Sequence, residues 1–435
     1  MKARKGVFSW LALVSVLAAA CAAPAPSSEM PPPPPMAMTP AYPTAPVPLH
    51  DLVHVALLVP RSGQYARLGE ALLNAAQMAL FEAGDPRLEI HVYDTRATPE
   101  AAAAQARAAI AAGADVILGP LFSGSVKAVA PLARAAGVPV IAFSNDPLAA
   151  APGVYLMGLQ PAQEVARVVT YAAGVRQLGR IAALVPEGDY GEAVLRGFAA
   201  GMAQARGEVR AIELYQRRAQ GLAEPVKTIA DYAKRARWLA EERAFLAELN
   251  DDLALEMLDR LANQETLTQP NYDAILIAEG GQLLRTLAPL LAIYEVDPQK
   301  IRFLGTGLWN DPGLVREPPL HGAWFAAPPE EGYRRFAARY LASFARPPAR
   351  VATLGYDAMA LIALLARNPM VEERFSSAAL TDVNGFAGIG GIFRFAPDGI
   401  AEWGFAVLEI RPEGFKVVSP APQSFVRPAH IGLLN

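Results

Sequence analysis

The chain has 435 residues, with 39 Lys and Arg against 42 Asp and Glu, a formal net charge of −3, and 53% hydrophobic residues. This near-neutral balance excludes the basic surface that nucleic acid or an anionic membrane face would require. The single cysteine, Cys21, excludes an internal disulfide framework and leaves no later thiol for nucleophilic chemistry.

Residues 1–20 read as an export signal. Lys2, Arg4 and Lys5 precede a short apolar run, WLALVSVLAAA, that ends in small residues and is too short to span a bilayer comfortably. Ala18-Ala19-Ala20-Cys21 resembles a bacterial lipoprotein signal, which implies lipidation of Cys21. An ordinary secretory signal with a chance cysteine is the alternative. Ala22 after the cysteine resembles the default outer-membrane sorting of such lipoproteins, so the expected place is the periplasm, lipid-anchored to the outer rather than the inner membrane. Residues 21–51 then form a proline-rich, nearly uncharged tether with no helical or strand period. Its residues 22–50 reach roughly 90 Å if fully extended as polyproline II.

Beyond the tether, strand and helix signals alternate. VHVALLVP (53–60), LEIHVYD (88–94), the run ending at Gly119-Pro120 and VPVIAF read as strands, with helices over Gly69 to Ala83, Pro99 to Ala112 and the stretch after GPLFSGS. A second series begins after Pro147: helix Gln163 to Ala173, strand RIAALVP (180–186), helix Tyr190 to Ala205 and strand VRAIELY (209–215). A long helical stretch follows, then strand DAILIAE (273–279), helix Gln282 to Tyr294 and strand IRFLGTG (301–307). Two helices, Tyr333 to Phe344 and Thr353 to Ala366, lead to short strands GIFRF, WGFAVLEI and FKVV, separated by turns at Pro397-Asp398-Gly399 and Pro412-Glu413-Gly414. Successive βαβ units imply an α/β protein with two doubly wound lobes and a cleft between them. Ligands bind at the carboxyl ends of such strands.

The chain resembles the type I periplasmic binding protein family, in the branch related to branched-chain amino-acid receptors. The resemblance rests on LVPRSGQYARLGEALLNAAQMAL, GPLFSGS followed by GVPVIAFSND, EGDYGEAVLRGF, GYDAMAL and GFAGIGGIFRFAPDG, in the family's order over Val53 to Val418. It implies two parallel-sheet lobes joined by three crossovers: lobe 1 as 52–160 plus 328–385, and lobe 2 as 161–327 plus 386–420, followed by a tail, 421–435. Within that family the chain is similar to the penicillin-binding protein activators, lipoproteins that stimulate peptidoglycan synthases. The lipid anchor, the tether, the helical expansion of the second lobe and the run GTGLWND…GAWFAAPP carry that likeness. The implied partner is a class A penicillin-binding protein. The best-known members carry a helical-repeat domain before this module, and here only the tether precedes it.

In amino-acid receptors of the family, hydroxyls and backbone N–H groups of two first-lobe loops hold the ligand carboxylate. The resemblance makes Ser123, Ser144, Asn145, Asp146 and, from the second lobe, Tyr190 the candidate cleft contacts. Asp146 stands where the family has a carboxylate-binding Thr, and an ionised Asp only accepts hydrogen bonds and repels a second carboxylate. The acidic residue that receives the ammonium has no clear counterpart, because Leu308-Trp309-Asn310 occupy its region. A small polar or cationic cleft ligand stays open. So do the local roles, with Ser123 and Ser144 satisfying loop backbone and Asp146 starting an Asp-Pro turn.

Residues 235–270 add a helical insertion. Between Arg237 and Glu265 it carries eight acidic and three basic residues, interleaved with Trp238, Leu239, Phe245, Leu246, Leu249, Leu253, Leu258 and Leu261. A break at Asn250-Asp251-Asp252 predicts two helices. Trp238, Glu241, Glu242, Glu248, Asp251 and Asp252 are the candidate surface for a basic partner. The alternative is a flap packed onto the second lobe.

No enzyme signature emerges. Among the histidines at 50, 54, 91, 321 and 430 one pair, His50 and His54, has H-x-x-x-H spacing, but it runs from the tether into a predicted strand rather than along a helix, and neither G-x-S-x-G nor G-x-x-x-x-G-K-[ST] occurs. No catalytic residue, metal or cofactor is expected. The glycines at 385, 388, 390 and 391 lie between a helix and a strand, the wrong order for a dinucleotide turn. Two functions survive: a docking module that activates a peptidoglycan synthase without chemistry, and a solute receptor that serves an ABC permease.

Overall fold

A computed structural model describes residues 52–249 and 251–425. The export signal, Cys21, the tether through Asp51, Asn250 and residues 426–435 lie outside the described residues. Among the described residues no helix is long and apolar enough to cross a membrane.

The first sheet is parallel, in the order β2-β1-β3-β4-β5, from β1 (Val53–Val59), β2 (Leu88–Asp94), β3 (Val116–Leu118), β4 (Val140–Ala142) and β5 (Val154–Leu156). Side chains alternate across it. Val53, Val55, Leu57 and Val59 enter one core with α1 (Ala66–Ala83), whereas Ala56 and Leu58 enter another with α2 (Pro99–Ala111) and α3 (Ser123–Ala136). Burial on both faces is why β1, β3 and β4 read as apolar runs, whereas the edge strand β2 (LEIHVYD) alternates.

The second sheet repeats this order as β7-β6-β8-β9-β10, from β6 (Arg180–Pro186), β7 (Glu208–Tyr215), β8 (Ala274–Ile277), β9 (Arg302–Gly305) and β10 (Trp324–Ala327). On one face lie α4 (Pro161–Thr170), extended by a π turn over Tyr171–Val175, and α5 (Asp189–Ala205). Helices α4 and α5 approach closely because Gly197 carries no side chain: a Cβ there would come within 2.1 Å of the Ala162 carbonyl oxygen. The other face takes α6 (Ala223–Ile229), with the hairpin α7 (Tyr232–Leu249) and α8 (Asp252–Leu261) beyond it, and α9 (Gly281–Ile293). The chain then returns to the first lobe, where α10 (Glu330–Phe344) and α11 (Ala352–Leu365) pack beside α1.

The closing strands differ from the sequence expectation. The resemblance implies that residues 386–420 belong wholly to lobe 2, yet β11 (Phe386–Gly388), β12 (Gly391–Phe395) and β13 (Ala401–Trp403) form a separate three-stranded sheet. Ile400 bridges in parallel to Leu156 of the first sheet. Only β14 (Ala406–Arg411) and β15 (Gly414–Ser419) join the second sheet, as antiparallel strands beyond β10. WGFAVLEI, which reads as one strand, is therefore two, split at Gly404-Phe405. The small sheet is held from both lobes. Trp403 stacks on Phe393 at 4.8 Å and donates its indole N–H to the Met157 carbonyl at 3.1 Å. The Gln163 amide, on α4, donates to the Ala401 carbonyl and accepts from the Trp403 N–H. Three crossovers thus run through 157–160, 328–329 and 404–405.

Candidate functional site

Each lobe has its topological switch point where the strand order reverses, between β1 and β3 and between β6 and β8. This is the position at which open α/β sheets take ligands. On the first lobe, Asp94 at the end of β2 accepts hydrogen bonds from the Arg61 N–H and the Ser62 hydroxyl, and Tyr65 packs on Phe122 with ring centroids 4.7 Å apart. Ser123 opens α3, half-buried. Ser144 is buried and accepts from the Asp146 N–H at 3.2 Å, while Asn145 is exposed.

Asp146 caps the short 3-10 turn Pro147–Ala149 by accepting from the Leu148 N–H at 2.9 Å, and its other oxygen lies 3.5 Å from the Lys127 ammonium. Of the two roles open in the sequence, the geometry is that of the turn initiator. Its charge is engaged within the lobe.

On the second lobe, the Tyr190 hydroxyl shares a 2.8 Å hydrogen bond with the fully buried Thr306. Burial pushes the Tyr190 phenol well above its ordinary range. Two acidic residues that the sequence reading did not single out converge here. Glu164, in the first turn of α4, accepts from the Gly307 N–H at 2.9 Å. Glu279, at the carboxyl end of β8 and completely buried, accepts four hydrogen bonds, from Tyr215, from two nitrogens of Arg217 and from the Gly280 N–H. The completely buried Trp309 donates its indole N–H to the Glu279 carbonyl at 2.8 Å. The signal for Glu279 was an acidic residue ending an apolar strand at a switch point. Glu164 had none, because it comes from a helix 143 residues from Gly307.

Desolvation raises Glu164 to about 7, opposed only by the Gly307 N–H. The folded protein keeps this proton to higher pH than the unfolded chain does. Its contribution to stability is therefore complete below the unfolded value of 4.5 and is lost as pH rises toward about 7. Glu164→Gln, which mimics the protonated form, should match the wild type near pH 4.5 and exceed it by up to about 3 kcal/mol at pH 8. Melting curves across that range check this; a variant less stable than wild type at pH 8 would contradict it.

The other candidate surface is the α7–α8 hairpin. Arg235, 1% exposed, anchors its base by donating to the carbonyls of Ala230 and Thr268 and to the Thr266 hydroxyl. Leu239, Leu246 and Ala254 are buried beneath it. Arg243 pins the two helices together by donating to the carbonyls of Leu261, Ala262 and Gln264. Asp251 caps α8 through the Ala254 N–H at 2.7 Å, and Glu241 lies 3.5 Å from Arg237. Glu248 and Asp252 are exposed and Glu242 is half-buried. Trp238 lies under the Lys234 ammonium, 4.7 Å from its ring, and lines a cavity of about 660 Å³ with Arg180 and Arg210. The outer surface is therefore both acidic, with seven of the eight acidic residues exposed, and apolar. Phe245, Leu249, Leu253 and Leu255 are each more than half exposed.

The family model of the periplasmic binding proteins matches residues 52–415. A branched chain amino acid ABC transporter periplasmic ligand-binding protein from Burkholderia xenovorans superposes with a TM-score of 0.63 at 14% identity, covering 84% of this chain and 94% of that one. An ABC transporter substrate-binding protein from Sphaerobacter thermophilus gives a TM-score of 0.61 at 19% identity, covering 86% and 98%. An uncharacterized protein of Rickettsia prowazekii is 23% identical over 181 residues, 42% of this chain and 48% of the relative, so the match spans about half that protein's length.

Proposed function

Because the chain belongs to the periplasmic binding protein family, we propose that it uses the two-lobed frame as a docking module. On this reading it is a periplasmic lipoprotein, anchored through Cys21 to the outer membrane, that activates a class A penicillin-binding protein by contact and performs no chemistry itself. The observation that carries the reading is the apolar outer surface of the α7–α8 hairpin. Phe245 and Leu249 stand four residues apart on α7, and Leu253 and Met257 four apart on α8, all between 37% and 66% exposed. Helical neighbours at that spacing form one stripe, and clustered exposed apolar side chains mark interaction surfaces.

The cleft supports the same reading. Asp146 and Glu279 are held by partners within their own lobes, so neither carboxylate is free for an ammonium. Binding of the hairpin would stabilise the active conformation of the synthase through contacts made better there than elsewhere. The test adds the purified full-length protein to a purified class A synthase and measures glycan polymerisation, which should accelerate.

A second reading is favoured by the fold's relatives, which include ABC transporter ligand-binding proteins. As a receptor for an amino acid or related polar solute, contacting it through Ser123, Ser144, Asn145 and Tyr190, the protein would show a ligand-dependent rise in melting temperature. The docking reading expects none from free amino acids.

A further inference from the structure

We propose a divalent transition-metal site, zinc by preference, formed by His54, Glu89 and His91 at the edge of the first lobe away from the cleft. Spacing along the sequence hides it, because the ligands come from two strands. The parallel register sets His54 beside Glu89 and Ala56 beside His91. Since alternate residues of a strand share a face, β1 contributes one imidazole and β2 a carboxylate and a second imidazole to the same face of the sheet. Asp115 holds the start of β1 in place by accepting from the His54 N–H at 2.8 Å.

The distances are those of a coordination site rather than of a hydrogen-bonded cluster. Glu89 Oε2 lies 3.5 Å from His54 Nδ1 and 3.5 Å from His91 Nε2, beyond the 2.7–3.2 Å of an N–H···O hydrogen bond. Tetrahedral zinc with bonds of 2.0–2.2 Å separates its ligand atoms by about 3.4 Å, so both nitrogen–oxygen edges already have the required length. All three ligand atoms lie within 4.8 Å of one another. The side chains are 33%, 45% and 51% exposed, which leaves the imidazoles free to turn and a fourth position open to water. A cavity of about 120 Å³, lined by both histidines and by Tyr93, adjoins them. Two imidazoles and one carboxylate suit zinc, nickel or copper, whereas magnesium and calcium favour oxygen ligands throughout. The site lies near the beginning of β1 and β2, and neither the cleft nor the hairpin enters the argument.

The test titrates zinc chloride into the chelator-treated full-length protein by calorimetry, in parallel with the double variant His54→Gln/His91→Gln. The expected result is one saturable zinc per chain, weakened at least a hundredfold in the double variant. Its melting temperature in chelator should match the wild type, since these side chains are partly exposed. Cobalt(II) bound to the wild type supplies a readout that needs no variant: visible bands of a four-coordinate nitrogen–oxygen site, without thiolate charge transfer. No saturable uptake by the wild type, undiminished binding by the double variant, or a thiolate band assigning the ion to Cys21 would each overturn the site.

Discussion

Replacing Phe245, Leu249 and Leu253 together by Asp is expected to abolish stimulation of the synthase while leaving the module folded. These side chains are 51–66% exposed, and surface substitutions of that kind change stability by only about 0.5 kcal/mol each. Anchor residues at an interface commonly cost about 2 kcal/mol or more apiece when removed. Losing three would weaken association by well over a hundredfold. The hairpin's own fold rests on other groups, the buried Leu239 and Leu246, the Arg235 anchor and the Arg243 clasp. Circular dichroism and melting temperature should therefore match the wild type. Full stimulation by this variant would remove the hairpin from the mechanism.

The second large effect is on stability. Trp309→Ala should cost about 4 kcal/mol, as deletions of buried Trp and Phe rings typically do, and lower the melting temperature by roughly 5 °C for a unit of this size. The ring is completely buried against the backbone of Gly305, where a Cβ would lie 1.9 Å from it. Its indole N–H also occupies the Glu279 carbonyl, so truncation leaves both a void and an unpaired buried acceptor. Thermal unfolding of the purified variant measures this. A shift under about 3 °C would mean that the ring is not the plug of the second lobe.

What could be read from the chain, and what could not, divides along physical lines. Strands β1 and β6 were legible because burial on both faces turns them into apolar runs that end at Pro, and β2 because an edge strand alternates apolar and polar residues. The break in the insertion was legible because Asp251 is a good helix cap. The split of WGFAVLEI was not, since a crossover of two residues leaves no compositional trace. Likewise, composition could not separate the buried Leu239 and Leu246 from the exposed Phe245, Leu249 and Leu253, because helical period identifies a stripe and not what covers it. The family pattern led to Ser144 and Asp146, but their local hydrogen bonds depend on backbone geometry. Glu164, Glu279 and the His54–Glu89–His91 cluster escaped for one reason: their partners are distant in sequence or lie across strands, where linear spacing carries no signal.

The most direct measurement of the docking account is the rate of glycan polymerisation by a purified class A penicillin-binding protein, with and without the full-length protein. The account predicts a several-fold, saturable acceleration by the wild type, retained by Glu164→Gln and lost in the triple Asp variant. An unchanged rate at saturating wild-type protein, together with a ligand-dependent rise in its melting temperature, would contradict the account and make the chain a solute receptor.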